Sequence, residues 1–266
     1  MRIALGLEYD GATFCGWQTQ PNGCGVQDAL EAALAGIATQ NINTVCAGRT
    51  DAGVHALSQI VHFDSEASRP LSAWTRGVNA GLRSGVSVLW GQEVSDEFHA
   101  RYSAIARHYK YFLLNRVQRP GLFSSHVGWF DAALDAGAMH EAGQALKGEH
   151  DFGAFRAAEC QAKSPIRTIH ELSVSRRGDI ICFEISANAF LQHMVRNIVG
   201  SLVHVGCGRQ RSGWIGELLE TRDRRLAAPT FAATGLYLSA VDYEDHWHLP
   251  LSTGSELPDA VLAGLK

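Results

Sequence analysis

The sequence predicts an α+β fold of two ferredoxin-like halves, each a β-α-β-β-α-β run with antiparallel sheets. Three observations predict it. Strict apolar alternation marks the strands, and apolar residues three and four apart mark the helices. The order of these segments in the first hundred residues then recurs in the rest of the chain.

Ile3, Leu5, Leu7 and Tyr9 alternate along residues 2–9, a strand ended by a turn at Asp10 and Gly11. Residues 21–25 form a loop, and Val26, Leu30, Leu34 and Ile37 then set a helix over 26–38. Short strands near 43–47 and 58–64 flank a polar, glycine-bearing segment. Leu71, Trp74, Val78 and Leu82 give a second helix, and residues 86–93 a strand. After a join near 96–104 the second half supplies a strand at 105–115 and a helix at 134–146. Strands at 167–176 and 179–187 meet at an Arg177, Gly178 turn, and an apolar helix follows at 190–205. A shorter helix at 214–221 is inserted before a last strand at 236–242. The expected divisions are an N-terminal half over 1–100, a C-terminal half over 101–243, and a loosely held tail over 244–266 that carries Pro250, Gly254 and Pro258. The halves share element order and no residue-level repeat.

With 266 residues and a 46% hydrophobic fraction, the chain has the material for a core, which excludes disorder as its dominant state. It contains no apolar run long enough to span a membrane, and Glu8 and Asp10 interrupt any signal-peptide core, so a soluble cytoplasmic protein is expected. The six cysteines include no C-x-x-C pair and are expected to be reduced. The twelve histidines show no ligand spacing, so no metal site is expected.

The net charge of −4 conceals an uneven distribution. Residues 1–100 carry a balance of −5, residues 101–225 one of +5, and the remainder −4. Arginine outnumbers lysine 19 to 4, and its planar fork matches phosphate. A basic face for nucleic acid is one reading, and a solvated surface is the other.

The segment between the two short strands carries the chemistry: Cys46-Ala47-Gly48-Arg49-Thr50-Asp51-Ala52-Gly53-Val54-His55-Ala56. Polar loops on a rigid scaffold are where reactive groups concentrate. Arg49 and Asp51, two apart, leave an extended chain on the same side. On residue chemistry alone, Asp51 is either a reactive carboxylate or the cap of its own turn, neutralised by Arg49.

AGRTDAGVHA closely resembles the signature of the tRNA pseudouridine synthase A family. The resemblance continues in ALGLEYDGATFCGWQTQ, VHF (61–63), FHARYSA (98–104), RHYKY (107–111), HDFGAFR (150–156), ANAFLQHMVRNIVGSLVHVG (187–206) and GLYLSAVDY (235–243). It implies the pseudouridine synthase fold with a cleft between the halves, and isomerisation of uridine at positions 38, 39 and 40 of the tRNA anticodon stem-loop. It also implies a homodimer on which one tRNA touches both subunits. The reaction is redox-neutral and adds no atoms, so it calls for no cofactor and no metal.

By resemblance Asp51 is the essential carboxylate, attacking ribose C1′ or uracil C6, or acting as a base. Arg49 fills the gap left by the flipped nucleotide. Tyr109 stacks on the uracil and takes part in the last proton transfer. Arg196, a charge in an otherwise apolar helix, pairs with Asp51; the alternative is a snorkelling Arg that meets Glu184. Leu236 lines the pocket or is plain core. Arg107, Lys110 and Arg156 are candidate substrate contacts. His108 and Lys110 replace arginines of the family pattern, which affects phosphate affinity before chemistry. His55 orders the loop, His150 touches RNA, and His99, His193 and Asn197 support neighbours. Two other classes remain: a non-catalytic RNA-binding chaperone on the same fold, and a hydrolase built on Asp51 and His55.

Overall fold

A computed structural model describes residues 1–250 of the chain. In chain order its elements are β1 (Arg2–Tyr9), α1 (Val26–Ala38), β2 (Val45–Cys46), β3 (His55–Asp64), α2 (Val78–Gly81), β4 (Val86–Val94) and β5 (Ala104–Asn115). There follow β6 (Gly128–Phe130), α3 (Ala136–Gly143), β7 (Gly148–Asp151), β8 (Ile166–Arg177), β9 (Ile180–Ala187), α4 (Met194–Gly206), α5 (Trp214–Thr221) and β10 (Leu236–Tyr243). Within the described residues they form two compact units: Met1–Arg107 together with 237–250, and His108–Leu236. Among the described residues no helix is long and apolar enough to cross a membrane.

In the first unit the strand order is β4-β1-β3-β10, with β2 also paired to β3. β1 lies antiparallel between β3 and β4, with Leu5 opposite Val61 and Gly91. β3 is buried at every position before Asp64, so both of its faces are covered. Helix α1 follows from its spacing: Val26, Leu30, Leu34 and Ala38 fall on one buried stripe. Asp28 Oδ2 accepts the Gly25 N–H at 2.8 Å, satisfying a donor at the helix start, and Thr39 ends the helix in the left-handed region at φ 56°. Trp74 and Phe63, 5.2 Å apart between ring centroids, are buried beside this layer.

In the second unit the order is β5-β9-β8-β7, with β6 parallel to β5. β8 and β9 form a hairpin whose turn uses Gly178 at φ 60°. Met139 of α3, Ile198 and Leu202 of α4, and Ile215 of α5 are fully buried. Each apolar side chain of this size contributes roughly 1.5–3 kcal/mol on burial.

Several expectations are corrected. The strand at 236–242 pairs in parallel with β3, Tyr237 opposite His55 and Leu238 opposite Ala56, so it completes the first unit. Periodicity identifies a strand and is silent on its partner. With the β5–β6 pairing, this makes the sheets mixed and not purely antiparallel. The division between units falls after Arg107, not at 96–104. Fully buried Phe98 and the Arg107 guanidinium, which donates to Ala47 O at 3.0 Å, tie that stretch to the first unit.

Residues 244–250 are not a loose tail: Asp245–Trp247 is a 3-10 turn, Trp247 lies 5.2 Å from the Phe98 ring, and Gln92 Nε2 donates to Trp247 O. Residues 251–266 lie outside the described residues. The helix expected from 190 begins at Met194, because His193 adopts φ 61° and breaks the helical path. The helix expected at 71–82 is present over 71–81 with a π-helical stretch at Ala73–Gly77 inside it. Cys15 and Cys24 are joined in a disulfide, whereas the remaining four cysteines are thiols. The Cys15 N–H donates to Cys24 O at 2.9 Å, so a backbone fold-back that spacing does not encode brings the two together.

Candidate active site

The Asp51 segment leaves the sheet at the end of β2. Cys46 is paired to Val61 of β3, and the Ala47 N–H donates to Ile60 O at 2.8 Å. At Gly48 the strand ladder passes from backbone to side chain. Gln59, fully buried in β3, donates from Nε2 to Gly48 O at 2.6 Å, while its Oε1 accepts the Gly48 N–H at 3.4 Å. The same Nε2 lies 3.3 Å from the Tyr9 hydroxyl, which is 2.7 Å from Thr50 Oγ1. The residues on either side of Arg49 are thus held from beneath by one buried polar relay, where an unmet polar group would cost about 1–3 kcal/mol.

The far side of the segment is a tight turn. The Val54 N–H donates to Asp51 O at 3.1 Å, and Gly53 sits at φ 80° at the third turn position, as a type II turn requires. The loop before α1 packs on it: the Trp17 N–H donates to Thr50 O at 2.9 Å. Gly16, at φ 95°, has room only for hydrogen, since a Cβ there would lie 2.9 Å from Thr50 O and 3.0 Å from Ala52 N.

His55 at the start of β3 is buried, its Nδ1 3.1 Å from both the Gly11 N–H donor and Asp10 Oδ1, and its ring stacks on Tyr237 at 4.6 Å. These contacts tie it to the turn after β1 and to β10. Arg49 is exposed and Asp51 half-buried. Burial pushes the Cys46 thiol up to about 12, against the fields of Arg49 and Arg101, so it remains protonated and is no nucleophile.

Arg107, the other arginine of this unit singled out in the sequence, is buried and donates to the backbone carbonyls of Ala47, Ala104 and Arg101. This candidate substrate contact clamps the root of the Asp51 loop.

In the second unit Tyr109 is buried and meets Phe190 edge-on at 5.0 Å. Tyr111 is core: its hydroxyl donates to Ala232 O at 2.9 Å, and burial raises its pKa well beyond the ordinary phenol value. Arg196, in the first turn of α4, donates from Nε to Phe231 O at 2.8 Å, while the Phe231 N–H donates to Arg196 O at 3.3 Å. Glu184, the alternative partner weighed for it, lies 3.5 Å from Lys110 Nζ.

Leu236 is buried at the head of β10. Arg156 donates to Ala162 O at 3.0 Å and to Cys160 O, closing its own loop. His150 Nε2 is 2.9 Å from Lys147 O. Asn197, fully buried, donates to Phe155 O and accepts from Arg224, as a supporting residue would.

Sequence reasoning missed Gln59 and Tyr9. A buried glutamine amid the apolar run HALSQIVHF was the available signal, because a buried amide requires partners.

The profile of a family described as tRNA pseudouridine synthase matches residues 7–103 and 142–244. The tRNA pseudouridine synthase A of Dechloromonas aromatica (strain RCB) is 56% identical over 250 residues, covering 94% of this chain and 95% of that protein. The proteins of that name from Methylobacillus flagellatus and Shewanella frigidimarina are 56% and 51% identical, each match covering 94% of this chain and 96% of the relative.

Proposed function

The chain belongs to the tRNA pseudouridine synthase family, and from that premise we propose that it isomerises uridine 38, 39 and 40 of the anticodon stem-loop, with Asp51 as the essential carboxylate. As a member it is an isomerase acting on tRNA. The observation that carries the assignment to Asp51 is the bracing of its loop: Gly48 and Thr50 are held by buried side chains while Asp51 itself is half-buried and Arg49 exposed. A preorganised carboxylate beside an exposed guanidinium suits chemistry on a base withdrawn from its stack.

In the reaction the C1′–N1 bond breaks, the uracil turns, a C1′–C5 bond forms, C5 loses a proton and N1 gains one. Asp51 acts at C1′ or C6, or as a base after the uracil departs. Arg49 takes the place of the extruded nucleotide. Tyr109 faces the uracil and assists the C5 proton transfer, and Leu236 supports the base. Arg196 is the cation that pairs with Asp51, so that a charge in an otherwise apolar helix has a partner. Lys110 contributes to RNA affinity only when Glu184 releases it. The protein acts in the cytoplasm as a homodimer, a reading that rests on the resemblance.

The test is pseudouridine mapping by chemical tagging and primer extension on unmodified tRNA transcript. Stops at 38, 39 and 40 with wild type and none with Asp51→Ala are expected. Tight tRNA binding by both proteins without product from either would overturn the reading and leave an RNA-binding chaperone.

A further inference from the structure

The segment 98–103 carries a row of rings that the reaction does not use. Phe98, fully buried, meets His62 edge-on at 6.1 Å; His62 lies 4.8 Å from His99; and His99 lies 4.3 Å from Tyr102 at an interplanar angle of 32°. The row runs from core to solvent, ending in Tyr102, which is 76% exposed. The backbone of the segment is tied so as to hold that end there.

The Arg101 and Tyr102 N–H groups both donate to His99 Nδ1 at 3.2 Å. His99 N–H donates to Ser103 Oγ at 3.0 Å, and the Ser103 N–H returns to His99 O at 2.8 Å. The Ala100 N–H donates to His62 Nδ1 at 3.0 Å. Both imidazoles accept through Nδ1, and burial lowers the pKa of each, so the row is made of neutral rings.

Arg101 supplies the charge. Its guanidinium carbon lies 5.6 Å from the Tyr102 ring centroid, and among the described residues no carboxylate pairs with it. The Arg107 guanidinium donates to both Ala47 O and Arg101 O, so the Arg101 backbone is tied to the root of the Asp51 loop. A rigid exposed ring beside an unneutralised arginine is the arrangement that binds single-stranded nucleic acid: every base has a face to stack, and every base carries a phosphate.

We propose that Tyr102 and Arg101 form a stacking platform for an unpaired base of the tRNA substrate, Tyr102 taking the base face and Arg101 the adjoining phosphate. The proposal rests on the tRNA-modifying reading above. Stacking reads no base identity, which fits an enzyme that must accept three positions in many tRNAs.

The test is steady-state kinetics and direct binding of unmodified tRNA transcript to the full-length protein. Tyr102→Ala is expected to raise KM and Kd about ten- to hundredfold, with kcat held within a small factor. Tyr102→Phe and Tyr102→Trp should restore KM, and the indole of the latter should be quenched when tRNA is added. Arg101→Gln should lower the slope of log Kd against log salt by about one, a change Tyr102→Ala should not make. Unchanged KM and Kd in Tyr102→Ala, or a loss that Phe and Trp do not restore, would overturn the platform. Absence of product from wild type would fail the parent reading instead, and the binding arm would still decide the platform.

Discussion

In the first unit the loop between β2 and β3 keeps a polar, non-repetitive segment in one shape; in the second unit α4 keeps a single guanidinium amid apolar side chains. The loop has no regular hydrogen-bond ladder of its own. Its fixity comes from other elements: the Gln59 amide, the Tyr9 hydroxyl and the Trp17 N–H each hold one of its backbone or hydroxyl groups. The helix meets its own backbone needs and lends the surplus, Arg196, to Phe231 O. Loss of one brace therefore displaces the loop, whereas loss of one side chain leaves the helix standing. The loop is where geometry is vulnerable, and the helix is where charge is.

The largest effect tests the loop directly. Asp51→Asn keeps the shape and removes the carboxylate, and kcat should fall by about 10⁴-fold or more, with the circular dichroism spectrum and melting temperature near wild type. On the helix, Arg196→Met keeps the stem and removes the charge. Turnover should fall about 10²- to 10³-fold under the proposed pairing with Asp51, while denaturation shows a loss of only about 1 kcal/mol for the Phe231 hydrogen bond. A loss of stability with turnover intact would make Arg196 a structural residue and erase the contrast between charge and geometry.

Gln59→Met comes next and concerns geometry alone. It preserves volume and removes the amide from beneath Gly48, so kcat should fall about ten- to hundredfold with KM unchanged. Pairing it with Tyr9→Phe should give less than the product of the two losses, because both act through one relay.

The smallest effect lies under the ring row. Burial lowers the His62 pKa to about 4, and its Nδ1 must stay unprotonated to accept the Ala100 N–H. The unfolded chain takes up that proton near pH 6.5, its ordinary value. The folded state therefore gains the full contribution above pH 6.5 and loses it as pH falls toward 4, about 2 kcal/mol by pH 4.5. Denaturation at pH 7 and pH 4.5 should show this slope in wild type. His62→Asn, whose Oδ1 replaces the acceptor without titrating, should flatten it.

Strands and helices with regular apolar spacing were legible in the sequence. Val26, Leu30, Leu34 and Ile37 specify α1 because steps of four and three share a helix face, whereas the odd step to Ile37 would cross to the other face of a strand. The residues proposed for the site were conspicuous in the sequence because their types were unusual in place, as with Asp51 among glycines and Arg196 among valines. The sequence was ambiguous where a residue's chemistry suits two roles. Arg107 and Arg156 are candidate substrate contacts by residue type and hold backbone carbonyls in the structure, because a guanidinium satisfies either acceptor. The short strands β6 and β7, three and four residues long, are too brief to show a period.

What the sequence determined by itself were the α+β class, most of the elements and the signature that names the family, since all of these reside in the order of residues along a few turns or strands. What only the tertiary structure decided were the partners: β10 completing the first unit, Trp247 folding back on Phe98, Cys15 meeting Cys24, and Gln59 finding Gly48. Local periodicity sets which face of an element is apolar. Pairing is set by which distant surfaces bury that face and satisfy its polar groups at once, and that depends on the whole chain.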